Sequence, residues 1–210
     1  MTSPDEKLRL KALAAAFQMP SFQTMVSRKS SVTNAAVNSV IPAVAPTSDQ
    51  IEKALAILGM EVTDVRCAYC GDPSTEWDHL RPLVINRRPT GYISEIANLV
   101  PACGKCNQSK GNKPWRIWML NSSAKLSPTG RGLANVTDRI SRLEAYEQWL
   151  APTHVDFEAL IGREAWEHYW SLCEAVIAEM RECQKVADGL RDKVAAKLDG
   201  ETPAIPRRPS

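Results

Sequence analysis

Four cysteines stand in two C-x-x-C pairs, Cys67 with Cys70 and Cys103 with Cys106; the dipeptide Asp78-His79 lies between the pairs and Asn107 follows the second directly. Thiolates three positions apart can share one tetrahedral zinc, because a tight knuckle turn brings both sulfurs to a common point about 2.3 Å from the metal. Two such pairs complete a closed four-cysteine site with no open position for water, so this Zn2+ is expected to hold a fold while other residues do the chemistry. Disulfides or scattered core thiols are the competing reading. Both pairs have ligand spacing and no apolar leader opens the chain, which favours the metal.

The interval between the pairs, residues 71–102, is longer than a simple zinc ribbon needs. Within it, His79 is a candidate base, since an imidazole with an ordinary pKa near 6.5 is substantially neutral at cellular pH. Asp78 supplies a hard anionic oxygen suited to Mg2+ or Mn2+, and Asn107 a second, neutral one. A base for water, plus a divalent cation to take up charge on a phosphate and its leaving oxygen, is what phosphodiester hydrolysis requires. Glu76, two residues before Asp78, shares its strand face and reads as a surface carboxylate. His154 and His168 fall outside the bracket and receive no catalytic role. A zinc nucleobase deaminase would need H-x-E, whereas His79 is followed by Leu80 and Arg81.

The elements that must position these residues follow from periodicity and capping. Thr75–Leu80 and Ile96–Val100 read as short strands, and a helix begins after Cys103. Pro82, Pro89 and Gly91 mark the connection between the strands as irregular. Upstream, Ser3, Pro4 and Glu6 open a helix running toward Phe17 and ended by Pro20. Residues 21–46 read as a loop or extended arm. Thr47 with Gln50 caps a helix whose Ile51, Leu55 and Leu58 share a face and which stops near Gly59. Trp115 and Trp118, three apart on a helix opening at Pro114, read as core. Residues 122–132 have linker composition, and a helix with Ile140, Leu143, Tyr146 and Leu150 on one side follows. From Glu164 to about Leu198, apolar residues at Trp166, Tyr169, Cys173, Val176, Met180, Cys183, Ala187, Leu190 and Val194 alternate intervals of three and four. That heptad seam suits either an intrachain partner or a homodimer through the 164–198 helix. Cys173 and Cys183 read as small buried hydrophobes.

The chain has 210 residues and a net charge of only +2, which bounds it to one or two domains. Charge is nonetheless uneven. Residues 65–125 carry nine Lys/Arg against four Asp/Glu, an excess of the kind that meets phosphate backbones. No apolar run suits export or membrane insertion, so a cytoplasmic, reducing setting is expected, consistent with zinc thiolates. The expected organisation is α+β but mostly α. N-terminal helices and an arm occupy 1–61, the metal-held core 62–121, a C-terminal helical region 122–200, and a disordered tail 201–210.

The segments C-A-Y-C, W-D-H-L-R-P-L and N-L-V-P-A-C-G-K-C-N-Q-S-K-G-N-K, spanning Cys67 to Trp115, together resemble the HNH endonucleases with a zinc-stabilised ββα-metal fold. The resemblance implies His79 as general base, Asp78 as ligand of a catalytic Mg2+ or Mn2+, and Asn98 as the residue that fixes the loop between the strands and orients the histidine. Asn107 stands where the family often has His, and as an accepted variant is implied to be the second metal ligand. DNA is the implied substrate. Arg81, Arg87, Arg88, Lys110 and Lys113 are candidate nucleic-acid contacts. A restriction-type or other defence nuclease is expected. The alternatives are a mobile-element or phage-encoded HNH enzyme and a zinc-stabilised nucleic-acid-binding protein without catalysis.

Overall fold

The computed structural model describes residues 3–16 and 23–199 and divides into two compact units, residues 1–30 with 175–210 and residues 31–174. Helix α1 (Pro4–Ala16) opens as its sequence dictates, with Glu6 N donating to Ser3 Oγ at 3.2 Å. Its expected end at Pro20 and the proposed tail at 201–210 lie outside the described residues.

The arm expected at 21–46 is instead partly helical. A 3₁₀ turn (Met25–Arg28), capped by the Thr24 side chain, leads into α2 (Lys29–Asn38). Ser, Thr, Asn and Val have modest helix propensity, which hid α2 in the sequence. Burial of Thr33 and Val37, one turn apart, offsets that weakness. Helix α3 (Ser48–Leu58) has the reciprocal capping box, Gln50 N to Thr47 Oγ1 at 3.3 Å and Thr47 N to Gln50 Oε1 at 2.9 Å. It ends at Gly59, whose φ of +67° suits a residue without Cβ. Ala54, Leu55 and Leu58 are buried, while Ile51 at the rim of that face is 40% exposed.

Strand β1 (Glu76–His79) pairs antiparallel with a later strand (Leu99–Ala102), Glu76 opposite Ala102 and His79 opposite Leu99. Between them the irregular connection contains its own hairpin, β2 (Val84–Ile85) with β3 (Arg88–Pro89), turned by Asn86 and Arg87 at φ of +50° and +66°. Positive φ at both central residues is the twist-matched two-residue turn. The Leu99–Ala102 strand is β4. It starts later than the sequence suggests, because Ile96–Asn98 form a 3₁₀ turn whose last residue bonds back to the Arg81 backbone.

Helices α4 (Gly104–Lys110), α5 (Trp115–Leu120), α6 (Val136–Trp149), α7 (Phe157–Ile161) and α8 (Arg163–Asp199) complete the chain. Residues 122–132 are not a loose linker. Ser127 is fully buried with its hydroxyl on Asn121 O at 2.6 Å, and Thr129 Oγ1 donates to Met119 O at 2.6 Å.

Two apolar clusters organise the 31–174 unit. The first joins the four knuckle cysteines, Tyr69, Leu80, Val100, Trp118 and Met119 to Ala54 and Leu58 of α3 and to Ile140, Leu143 and Tyr146 of α6. Trp115 and Trp118 are therefore core, as their spacing indicated. The second gathers Val37, Ile41, Leu83, Ile93, Phe157, Trp166 and Trp170. Cys173 is half-buried, but Cys183 is exposed, contrary to its reading as a buried hydrophobe. On α8 the buried positions are Trp166, Trp170 and Ile177, whereas Val176, Leu190 and Val194 of the expected seam are 50%, 57% and 57% exposed. Burial on α8 is thus concentrated on Trp166, Trp170 and Ile177, with Tyr169 and Cys173 of the expected seam partly buried beside the second cluster. Among the described residues no helix is long and apolar enough to cross a membrane.

Candidate active site

The four knuckle sulfurs converge. Their ligand atoms all lie within 4.8 Å of one another, and Cys70 and Cys103 Sγ are 3.6 Å apart. A tetrahedral ion with metal–sulfur bonds near 2.3 Å sets sulfurs about 3.8 Å apart, so the donor set fits a single ion. The first knuckle is closed by Gly71 N on Cys67 O and Cys67 N on Asp72 O, both at 2.8 Å, and the second pair straddles the start of α4. Hydrogen bonds from Cys106 and Cys70 draw the Cys67 thiol down to about 4 against the opposing effect of burial, and the same sharing pushes Cys106 up. A cation bound among them would let all four carry thiolate charge at once. Arg131, from the segment with linker composition, bonds Asp72 at 3.1 Å, and against the effect of burial Cys70 together with Asp72 favours its charged form, which puts a guanidinium near the sulfurs.

On β1, period-2 alternation turns Glu76 and Asp78 toward α4. Asp78 is buried, 6% exposed, and each of its oxygens accepts at least one hydrogen bond. Oδ2 accepts from Tyr69 OH at 2.6 Å, and Lys110 Nζ reaches Oδ1 at 3.2 Å and Oδ2 at 3.1 Å. Lys110 is wholly buried and also donates to His79 O at 2.8 Å and Gly111 O at 3.2 Å. Its expected role as a solvated or phosphate-facing lysine is therefore corrected: α4 turns it inward, where the aspartate and two carbonyls replace its water. Burial pushes the Asp78 carboxyl up, with Lys110 and Tyr69 opposing, and pushes the Lys110 ammonium down, with Asp78 opposing. Burial and then Asp78 push the Tyr69 phenol well up, which keeps it a donor.

His79, the last residue of β1, is half-buried with Nε2 2.9 Å from Ser94 Oγ. Burial first, then the Lys110 cation, lowers its pKa to about 4, so the ring is neutral at neutral pH. Asn98 is 0% exposed and its side chain spans the loop, accepting from Arg81 N at 2.8 Å and donating to Arg81 O at 3.1 Å and Ile93 O at 3.4 Å. With Leu80 N on Asn98 O at 2.9 Å, it pins the chain just after His79. Asn107 Nδ2 donates to Glu76 Oε2 at 2.6 Å, leaving its carbonyl oxygen directed elsewhere. Glu76, read as a surface carboxylate, is thus part of the site.

The arginines are used differently from expectation. Arg81 pairs with Glu147 at 3.0 Å and lies over the Tyr92 ring. Arg88 pairs with Glu174 at 3.4 Å and stacks on Trp170 at 5.1 Å. Only Arg87 of the three is exposed, at the β2–β3 turn. Lys113 is exposed but bonds Ser109 O and Lys110 O at the end of α4. Sequence reasoning missed Tyr69, Ser94, Arg131 and the engagement of Glu76. The period-2 relation to Asp78 was the available signal for Glu76; for Tyr69 it was the position inside a knuckle. Ser94 and Arg131 sit in segments without periodicity and left no local signal.

Residues 67–113 match the sequence profile of the HNH endonuclease family. A stretch of 62 residues is 47% identical to the CRISPR-associated endonuclease Cas9 of Corynebacterium diphtheriae, covering 28% of this chain and 5% of that protein. The chain thus spans only a small part of the length of the curated relative that it matches. No solved structure matches the chain. The observed order β1, β4, α4 with the clustered cysteines gives residues 67–113 the small α+β core of an HNH nuclease domain.

Proposed function

We propose, from the HNH match over residues 67–113, that this protein is a divalent-metal-dependent DNA endonuclease with a structural Zn2+ on Cys67, Cys70, Cys103 and Cys106. The observation that carries the reading is a neutral, half-buried His79 next to a buried, doubly anchored Asp78 on a strand clamped by the sulfur cluster. With Nε2 engaged by Ser94 Oγ, Nδ1 is the nitrogen left to take the proton of the attacking water. Asp78 and Asn107 offer hard oxygens of the kind Mg2+ and Mn2+ select. Tyr69, Lys110 and Glu76 hold those two side chains in place. A divalent cation bound there supplies stabilisation of charge on the phosphate and the departing 3′ oxygen. Asn98 keeps the turn after His79 rigid, which fixes where the imidazole points.

The substrate side is met by the basic residues that folding leaves exposed, Arg87 at the β2–β3 turn and Lys113 at the end of α4. Val176, Val186, Leu190 and Val194 of α8, each at least half exposed, offer a face for a second copy, and paired sites cut both strands. Such a pairing would suit a restriction-type or other defence role in a reducing cytoplasm, which is the biological role we propose. Purified full-length protein should nick plasmid DNA with Mg2+ or Mn2+, and sequenced ends should cluster at discrete sites. A His79→Ala variant that cuts as fast as the parent removes the base. Persistent inertness toward DNA and RNA removes the nuclease reading altogether.

A further inference from the structure

Asp78 is held by one donor from each cysteine pair's own segment. Tyr69 lies between Cys67 and Cys70, and Lys110 lies one helical turn beyond Cys106 on α4. The Tyr69 side chain has nowhere else to go. It is 0% exposed, its ring meets Trp118 edge-on at 5.3 Å, and Trp118 is itself fixed by its Nε1 on Ser109 Oγ at 3.0 Å. The knuckle backbone is tied to β4 through Ala68 N on Pro101 O at 2.8 Å. The hydroxyl then meets Asp78 Oδ2 at 2.6 Å across nine residues of sequence.

We propose that Tyr69 is a positioning residue through which the cysteine site sets the Asp78 carboxylate, so that the order of the first knuckle governs how tightly Asp78 and Asn107 hold their divalent cation. The inference rests on the reading of Asp78 as a ligand of that cation. An oxygen that already accepts a short bond from a rigid phenol has its orientation chosen before the cation arrives, and groups that orient a ligand contribute strongly to metal affinity. The coupling is reciprocal: cation binding at Asp78 must also be felt at Tyr69.

Tyr69→Phe removes the hydroxyl and keeps the ring against Trp118. In zinc-loaded full-length protein, Mn2+ binding is measured without DNA, by the electron paramagnetic resonance of free Mn2+. The variant is expected to keep its zinc and circular dichroism while its Mn2+ dissociation constant rises about tenfold or more. Its cleavage rate should return close to the parent's at saturating Mn2+, since a positioning role changes metal dependence and a general loss of packing does not. Asp78→Asn is the control. If Asp78→Asn abolishes Mn2+ binding and Tyr69→Phe retains the parent's constant, the coupling is overturned and the ligand reading survives. If Asp78→Asn binds Mn2+ normally, the ligand reading fails and the coupling with it. Should Tyr69→Phe not fold, the parent decides: the Tyr69 Cζ carbon resonance should shift along a Mg2+ titration, and one that stays fixed at saturation overturns the proposal.

Discussion

His79 and Asp78 are covalent neighbours with opposite needs, and β1 meets both by pointing alternate residues into different surroundings. The imidazole is left neutral because burial and the Lys110 cation both disfavour its charged form. Replacing His79 by Ala should lower the cleavage rate by about 10²–10⁴-fold, the usual weight of a general base, with melting temperature little changed. Lys110 presents the reverse case, a charge whose removal is felt in stability. Lys110→Ala leaves Asp78 buried without its cation and should destabilise by about 3–5 kcal/mol in urea titration. The double variant Lys110→Met/Asp78→Asn should recover part of that loss, because a buried pair replaced on both sides leaves no orphaned charge. If the single and double variants unfold at the same urea concentration, the ion pair does not hold this site together.

At the scale of elements, the hairpin that carries the cysteine cluster is not self-sufficient. Its cysteines, Tyr69 and Val100 share one apolar cluster with α3 and α6, neither of which lies in the matched 67–113 segment. Leu143 on α6 is 0% exposed in that cluster. Leu143→Ala should therefore cost about 2–5 kcal/mol and loosen the cysteine site, seen as faster release of its proposed zinc to a chromophoric chelator. Release at the parent's rate would mean that the hairpin stands without α6. Asn98 does comparable work for the loop between β1 and β4. Asn98→Ala strands backbone groups of Arg81 and Ile93 and should lower stability by about 1–3 kcal/mol.

For the whole molecule, chelating the zinc proposed for the four cysteines should unfold the 31–174 unit as far as its first apolar cluster extends, because in such modules metal binding free energy is folding free energy. Circular dichroism and tryptophan fluorescence during chelation read this directly, since Trp115 and Trp118 sit in the cluster. A stripped protein with unchanged melting temperature contradicts the structural role of the cysteines. The exposed α8 face carries a separate expectation. If the proposed dimer forms, Leu190→Glu with Val194→Glu should convert it to a monomer in sedimentation, with the fold of the hairpin undisturbed.

The features legible in the chain of residues are local and covalent: the knuckle spacing, the Asp78-His79 adjacency, the caps at Ser3 and Thr47, the end at Gly59, and the apolar faces around Trp118 and Leu143. Each follows from a few neighbouring residues whose geometry the backbone imposes. The helix at Lys29–Asn38 within 21–46 is illegible for the same reason, since only distant packing rescues a segment of weak propensity. Tertiary structure alone decided that Lys110 meets Asp78 across 32 residues, that Asn107 meets Glu76 across 31, and that Arg81 and Arg88 turn to acidic partners. Charge carries no periodicity that reveals its partner. Whether a lysine faces water or an aspartate is settled only when folding closes the interior around both.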